Sequence, residues 1–284
     1  MSGPDQLPLA EVFLNARFTE TRLLDIASWQ VAAFSHASPD RGPGTPSEDA
    51  CACFQLSDGT GVLMVADGVG GHSSGEVASA LAIQAMHQTL SEHPAGSPLR
   101  GTILDALEAA NQSVLGLANG AATTVAMVEL HPDYIRPYHI GDSIITLFSQ
   151  RGRLKWQSIA HAPLGYAVEA GVLDEEEAMV HPERHLVSNV VGQDDMSISL
   201  GPRLPMAARD TMVICSDGLS DNVSTKEIIE LLRTGPLQPG CDDVVTLAHK
   251  RMQLADNMLE SQGKPDDLTF LACRPLGTST AVRD

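Results

Sequence analysis

Nowhere does an apolar run approach the ~18 uninterrupted residues that a membrane span needs, so no membrane partner is expected. Positive charge is also scarce. The chain has 18 Lys and Arg against 36 Asp and Glu, a formal net charge of -18. A surface of that sign repels phosphate backbones, which argues against nonspecific nucleic-acid binding. Met1 to Gln6 carry neither a basic stretch nor an apolar core, so no secretory signal is expected. The cysteines, Cys51, Cys53, Cys215, Cys241 and Cys273, are odd in number. That argues against a disulfide framework and for a reducing compartment, and a cytoplasmic location is the expectation. Cys51-Ala52-Cys53 lacks the two-residue spacing of a zinc or redox pair and reads as a strand with both thiols on one face. There is no internal repeat and no long low-complexity linker. What is present is ordinary for a soluble globular protein: 43% apolar and 19% charged residues in a 284-residue chain with ample core.

Residues 1 to 10 read as a loose tail, and Gly42 to Pro46 as a loop by composition. Val62 to Ala66 is a continuous apolar run, hence a buried strand, and it stops at a turn, Asp67-Gly68-Val69-Gly70-Gly71. A helix is expected from Ser74 to Glu92. A second shows Ile103, Leu107, Ala110, Val114 and Leu117 at alternating spacings of four and three. Thr123 to Leu130 and Tyr134 to Ile140 read as strands about the turn His131-Pro132-Asp133. Ile144 to Phe148 and Leu154 to Ile159 read as a hairpin about Arg151-Gly152. Asp174 is a candidate cap for a short helix with an acidic first turn. Met212 to Cys215 reads as a strand, and Ser224 to Glu227 has the pattern of a capping box. Asp242 to Leu259 reads as a helix and Leu268 to Cys273 as a last buried strand. Strands in blocks followed by pairs of helices point to an α+β sandwich.

Acidic residues recur at strand ends. Asp67-Gly68 closes one apolar run and Asp217-Gly218 follows another. Asp266-Asp267 and Glu48-Asp49 each precede one. Carboxylates at strand ends can converge on one rim of a sandwich, where they would repel one another unless a cation screened them. Hard oxygen ligands without His or Cys select Mg²⁺ or Mn²⁺ over Zn²⁺. A glycine after Asp67 also lets the backbone carbonyl approach the same ion.

With these residues the chain resembles the metal-dependent protein serine/threonine phosphatases, the protein phosphatase 2C family, in their bacterial form. The matching stretches are Ser47-Glu48-Asp49, Val65 to His72, Ala122-Thr123-Thr124, Ile140-Gly141-Asp142-Ser143, Cys215 to Leu219, and Asp266-Asp267-Leu268-Thr269. Glu175 to Ala178 followed by His181 to Arg184 resembles the family's flap. The resemblance implies a four-layer α-β-β-α sandwich with two central antiparallel sheets. Residues 11–284 would form a single phosphatase domain with its flap around 160–200. It implies two ions, Mn²⁺ or Mg²⁺. Asp67 would bridge both, Glu48 and the Gly68 carbonyl would serve one, and Asp217 and Asp266 the other. Asp49 would hold metal-bound water, and Asp142 would contribute to a weaker third ion. Asp267 stands where many members have Asn. The implied activity is hydrolysis of phosphoserine and phosphothreonine in phosphoprotein substrates, opposing a Ser/Thr kinase in signal transduction. Two ions about 4 Å apart make water a nucleophile and neutralise charge on the phosphoryl oxygens. No covalent phosphoenzyme is needed, in keeping with the lack of a Cys-x5-Arg loop.

The chain departs from the family where an Arg usually precedes the Glu-Asp pair by four residues. Gly44 stands there, and Arg41 is the nearest candidate for gripping phosphate. His72 is a candidate general acid to the leaving alkoxide. His161 and His181 flank the flap and read as structural or surface residues. Two other functions stay open. Gly71-His72-Ser73-Ser74-Gly75 matches the nucleophile elbow of serine esterases, with Ser73 as nucleophile, but the strand ends six residues earlier at Asp67 and the oxyanion loop is missing. A catalytically weak phosphatase-fold scaffold is the other. Within the resemblance, Asp266-Asp267 is also similar to a branch acting on regulators of sigma factors.

Overall fold

The computed structural model describes residues 9–42, 44–69, 74–254 and 263–276. The chain begins with β1 (Leu9–Leu14), β2 (Arg22–Ile26), β3 (Trp29–His36), β4 (Ala50–Gln55), β5 (Gly61–Ala66) and β6 (Gly68–Val69). Two long helices follow, α1 (Gly75–Ser91) and α2 (Leu99–Leu115). Then come β7 (Ala122–Thr123), β8 (Val125–Leu130), β9 (Tyr134–Ile140), β10 (Ile144–Phe148) and β11 (Leu154–Gln157). Short helices α3 (Pro163–Glu169) and α4 (Glu175–Met179) precede β12 (Ser199–Leu200), β13 (Leu204–Pro205) and β14 (Thr211–Cys215). The chain closes with α5 (Asp217–Ser220), α6 (Thr225–Leu232), α7 (Leu237–Leu254) and β15 (Leu268–Pro275). No helix among the described residues is long and apolar enough to cross a membrane.

One sheet has the order β1-β4-β5-β8-β9-β12, with β13 also paired to β9; the other has the order β11-β10-β14-β15-β3-β2. Their pairings are antiparallel throughout. The period of two along a strand divides each sequence between two cores. In β4 and β5, Cys51, Cys53, Leu63 and Val65 pack between the sheets. Ala50, Ala52, Val62, Met64 and Ala66 pack under α1 and α2 instead. Both faces of these strands are therefore dry, which is why β5 reads as an unbroken apolar run. Each fully buried Val or Leu contributes about 1.5–3 kcal/mol to folding. The helical stripes Ala78, Ala82, Met86 of α1 and Ile103, Leu107, Ala110, Val114 of α2 cover the first sheet. Cys241, Val244, Ala248 and Met252 of α7, with Ile228 and Leu232 of α6, cover the second. The layers thus run helix, sheet, sheet, helix, as expected.

Several boundaries differ from the sequence reading. Leu9 and Ala10 belong to β1, paired with Gln55 and Phe54, rather than to a tail. Thr124 interrupts the strand expected from Thr123 to Leu130, because Ala122–Thr123 turn away to pair with Gly68–Val69. α7 starts at Leu237, five residues before the expected Asp242, since Pro239 lies in the first turn, where a missing N–H costs nothing. The expected continuation to Leu259, and His72 and Ser73, lie outside the described residues.

Candidate active site

Register decides where the acids go. Ala50 pairs with Ala66, Val125 with Ile140, Ile144 with Cys215, and Cys215 with Phe270. Those pairs are all at one end of the two sheets. The segments just beyond them carry Glu48-Asp49, Asp67, Asp142, Asp217 and Asp266-Asp267. Acids scattered over more than two hundred residues are thereby delivered to a single rim.

Backbone contacts hold that rim together. Gly68 N donates to the Glu48 carbonyl at 3.2 Å, and Ser79 Oγ of α1 donates to the same oxygen at 2.6 Å. A Cβ at Gly68 would lie 2.3 Å from the Gly75 carbonyl and 2.8 Å from that of Glu48, so only glycine fits. Thr123 Oγ1 and Thr124 N donate to the Asp67 carbonyl, both at 2.8 Å. Thr124 Oγ1 lies 2.7 Å from Ser143 Oγ, tying this turn to Asp142. Asp49 is buried, and Ser216 Oγ donates to its Oδ2 at 2.8 Å.

Asp267 has a different role from its neighbour. Its two oxygens accept from Ser38 N at 2.7 Å and Glu48 N at 2.5 Å. It is a clasp between the strand ends, with its acceptors already engaged. Sequence reasoning missed two other residues. Asp221 lies one helical turn after Asp217 and faces the same space. The Lys264 ammonium stands 2.6 Å from Asp217, 2.8 Å from Asp266 and 3.2 Å from Asp221. The i, i+4 spacing of Asp217 and Asp221 was the available signal for the first. Across the rim, Arg41 donates to Glu48 Oε2 at 2.6 Å and to the Pro46 carbonyl, and lies 3.5 Å from Asp267. Gly44 adopts φ 99°, a backbone conformation in which an Arg would be strained.

The crowding is visible in protonation. Burial, then the charge of Asp267, pushes Asp49 well above the usual carboxylate range. Burial, followed by the charges of Asp49 and Asp217, does the same to Asp67. Burial and then Asp217 raise Asp142 to about 8, Asp221 to about 7 and Asp266 to about 6. Among the described residues these acids do not close into a ready-made cage of three donors; Arg41 and Lys264 stand between them instead. The donor set is nonetheless one of hard oxygens without His or Cys, and its carboxyls are those an added cation would relieve. The residues present fit a divalent-metal centre.

Beside the rim lies a cleft of about 240 Å³ between Asp142, Asp217 and Asp221 on one side and α3 and α4 on the other. Asp174 caps α4 as expected, through reciprocal bonds with Glu177. Glu175 accepts from Thr225 N and Oγ1, which fastens this flap to α6. His161 at its base is structural. Its Nδ1 accepts from Gly141 N at 3.1 Å, its Nε2 meets Ser199 Oγ at 2.8 Å, and it stacks on His139.

Residues 40–255 match the family Protein phosphatase 2C, and the chain belongs to that family. The serine/threonine protein phosphatase PstP of Mycobacterium tuberculosis is 32% identical over 220 residues, which cover 75% of this chain and 40% of that protein. This chain therefore spans well under half of that relative's length. Among solved structures, the serine/threonine phosphatase of S. agalactiae matches with a TM-score of 0.74 at 25% identity, covering 87% of this chain and 99% of that one. The catalytic domain of PstP in complex with two manganese ions matches with a TM-score of 0.68 at 26% identity, over 87% and 97% of the two chains.

Proposed function

We propose that this protein hydrolyses phosphoserine and phosphothreonine in phosphoproteins, using two divalent ions held at the acidic rim. The convergence of Glu48, Asp49, Asp67, Asp217 and Asp266 through strand register carries this reading. Kinship with serine/threonine phosphatases, one of them crystallised with two manganese ions, supports it. Asp67, which feels the charges of both Asp49 and Asp217, would be the ligand common to the two ions. Glu48 and the Gly68 carbonyl would hold one ion, Asp217 and Asp266 the other, and Asp142 would contribute to a weaker third position. Such ions, when bound, lower the pKa of water and neutralise charge on the phosphoryl oxygens.

The chain's own residues do the rest. Asp49, held by Ser216, orients the attacking water as a hydrogen-bond acceptor. Asp267 keeps the loops bearing Ser38 and Glu48 in register with Asp266. Arg41, on the lip beside Glu48, is the side chain available to meet the substrate phosphate in place of the Arg absent at position 44. The protein acts in the cytoplasm against a Ser/Thr kinase. The engagement of Arg41 with Glu48 also favours a second reading, a scaffold that binds phosphoproteins without turning them over. A phosphothreonine peptide separates the two: Mn²⁺-dependent phosphate release that stops on chelation is expected, and release indifferent to chelator, or none with Mn²⁺ bound, would sink the first reading.

A further inference from the structure

Lys264 is clamped at its root. Its N–H donates to Asn222 Oδ1 at 2.9 Å, and its carbonyl accepts from Asn222 Nδ2 at 2.8 Å. Asn222 is itself buried, bonded through Nδ2 to the Gly218 carbonyl. Its own carbonyl accepts from Arg251 at 2.7 Å. Pro265 restricts the next step of the chain. The ammonium therefore projects from a fixed base, one turn of backbone away from α5, into the space between Asp217, Asp221 and Asp266. It meets an oxygen of each within 3.2 Å. Asp217 Oδ2 accepts its hydrogen bond, and Asp266 and Asp221 are held by charge at 2.8 and 3.2 Å. Arg41 differs: a single carboxylate, Glu48, holds it closely.

A divalent ion ligated by Asp217 and Asp266 would need the same oxygens at about 2.0–2.2 Å. An ammonium and a metal ion cannot share them, because both are compact positive charges and like charges at that separation repel strongly. We propose that Lys264 is an internal competitor for the second metal ion, an autoinhibitory contact that must be withdrawn before that ion is bound. The inference rests on the reading of Asp217 and Asp266 as ligands of that ion. It makes loading of the rim unequal: the Asp217 and Asp266 side binds its ion more weakly than it would without Lys264, and filling it moves Lys264 aside.

Titration calorimetry of the full chain with Mn²⁺ tests this without recourse to turnover. Lys264→Met removes the charge and keeps the stem. It should bind the weaker of two Mn²⁺ ions about tenfold more tightly, the scale expected for deleting one close like-charge repulsion. Its melting temperature in chelator should fall, since three carboxylates lose their counter-ion, and Mn²⁺ should raise it by more than in the wild type. Lys264→Arg, which keeps the charge, should retain the wild-type affinity; Lys264→Gln serves if the Met variant does not fold. Wild-type protein that binds two ions while the neutral variants bind them no more tightly overturns the inference alone. Wild-type protein that takes up no Mn²⁺ overturns the metal-site reading and this inference with it.

Discussion

Glu227 and Asp67 are both carboxylates at the edge of an element, and their surroundings treat them in opposite ways. At the start of α6, Glu227 receives two bonds of 2.7 Å from the Arg251 guanidinium, and Ser224 N and Oγ donate to it as well. The guanidinium first, then Ser224, holds it at about 2, far below the usual range. At the rim, Asp67 has acids for neighbours and is driven upward by burial and their charge. The first arrangement is complete within the chain and stabilises it. The second is left short of positive charge, even with Arg41 and Lys264 present. That contrast, a deficit tolerated in one place and avoided in another, supports the proposal that the rim is where divalent ions would bind.

The sharpest way to break that comparison is Asp67→Asn. It should lower kcat/KM on p-nitrophenyl phosphate by at least ~10³-fold, about 4 kcal/mol of transition-state stabilisation. Its melting temperature in chelator should stay level or rise, because a repelled charge has gone. Retained turnover with a lowered melting temperature would make Asp67 structural. Arg251→Ala should do the reverse. The pair is partly exposed, with side chains 22% and 36% accessible, so solvent screening limits the loss to about 1 kcal/mol by urea denaturation. Turnover should change by less than about twofold, since the hydrogen bonds of the Arg251 side chain among the described residues go to Glu227 and the Asn222 carbonyl. Glu227 is lowered from 4.5 to about 2, so the stability it supplies is full above pH 4.5 and is lost as pH falls through about 2. The deficit of Arg251→Ala should shrink over that same window; a constant deficit would show that packing, not charge, is what Arg251 supplies.

The sequence itself gave away the rim's acids and hid their company. Asp67-Gly68 after an apolar run and Asp266-Asp267 before one are local patterns, and register brought both where a strand-end reading expects. The capping box Ser224 to Glu227 was legible for the same reason, being confined to four residues. Its partner Arg251 was not, because a pairing across 24 positions leaves no local trace. Lys264 reads as an ordinary loop lysine until Asn222 anchors it. β3, Trp29–His36, left no strand signal because Gln30, Ser35 and His36 break the apolar run that made β5 legible, although Val31 to Phe34 are buried. His161 reads as a flap-side residue. Its role shows in the fold, where the Gly141 turn, whose φ of 102° no Cβ could share with Thr124 2.6 Å away, and the Asn189 side chain both donate to its Nδ1.

The smallest expected effect is also the most direct test of opposite signs. Asp221 is raised from 3.8 to about 7, by burial first and then by Asp217, with Lys264 opposing. A group raised in the folded state favours folding fully below pH 3.8, and that contribution is lost as pH rises through about 7. Asp221→Asn, neutral throughout, should therefore match the wild type near pH 4 and become the more stable of the two near pH 8, in chelator. The gain should not exceed about 1 kcal/mol, because the neutral amide also costs Lys264 one of its three partners. Glu227→Gln, measured alongside, should be less stable than the wild type at pH 8 and converge with it toward pH 2. Two carboxylates whose neutral variants move stability the same way at pH 8 would erase the distinction between a finished ion pair and a rim of mutually repelling acids.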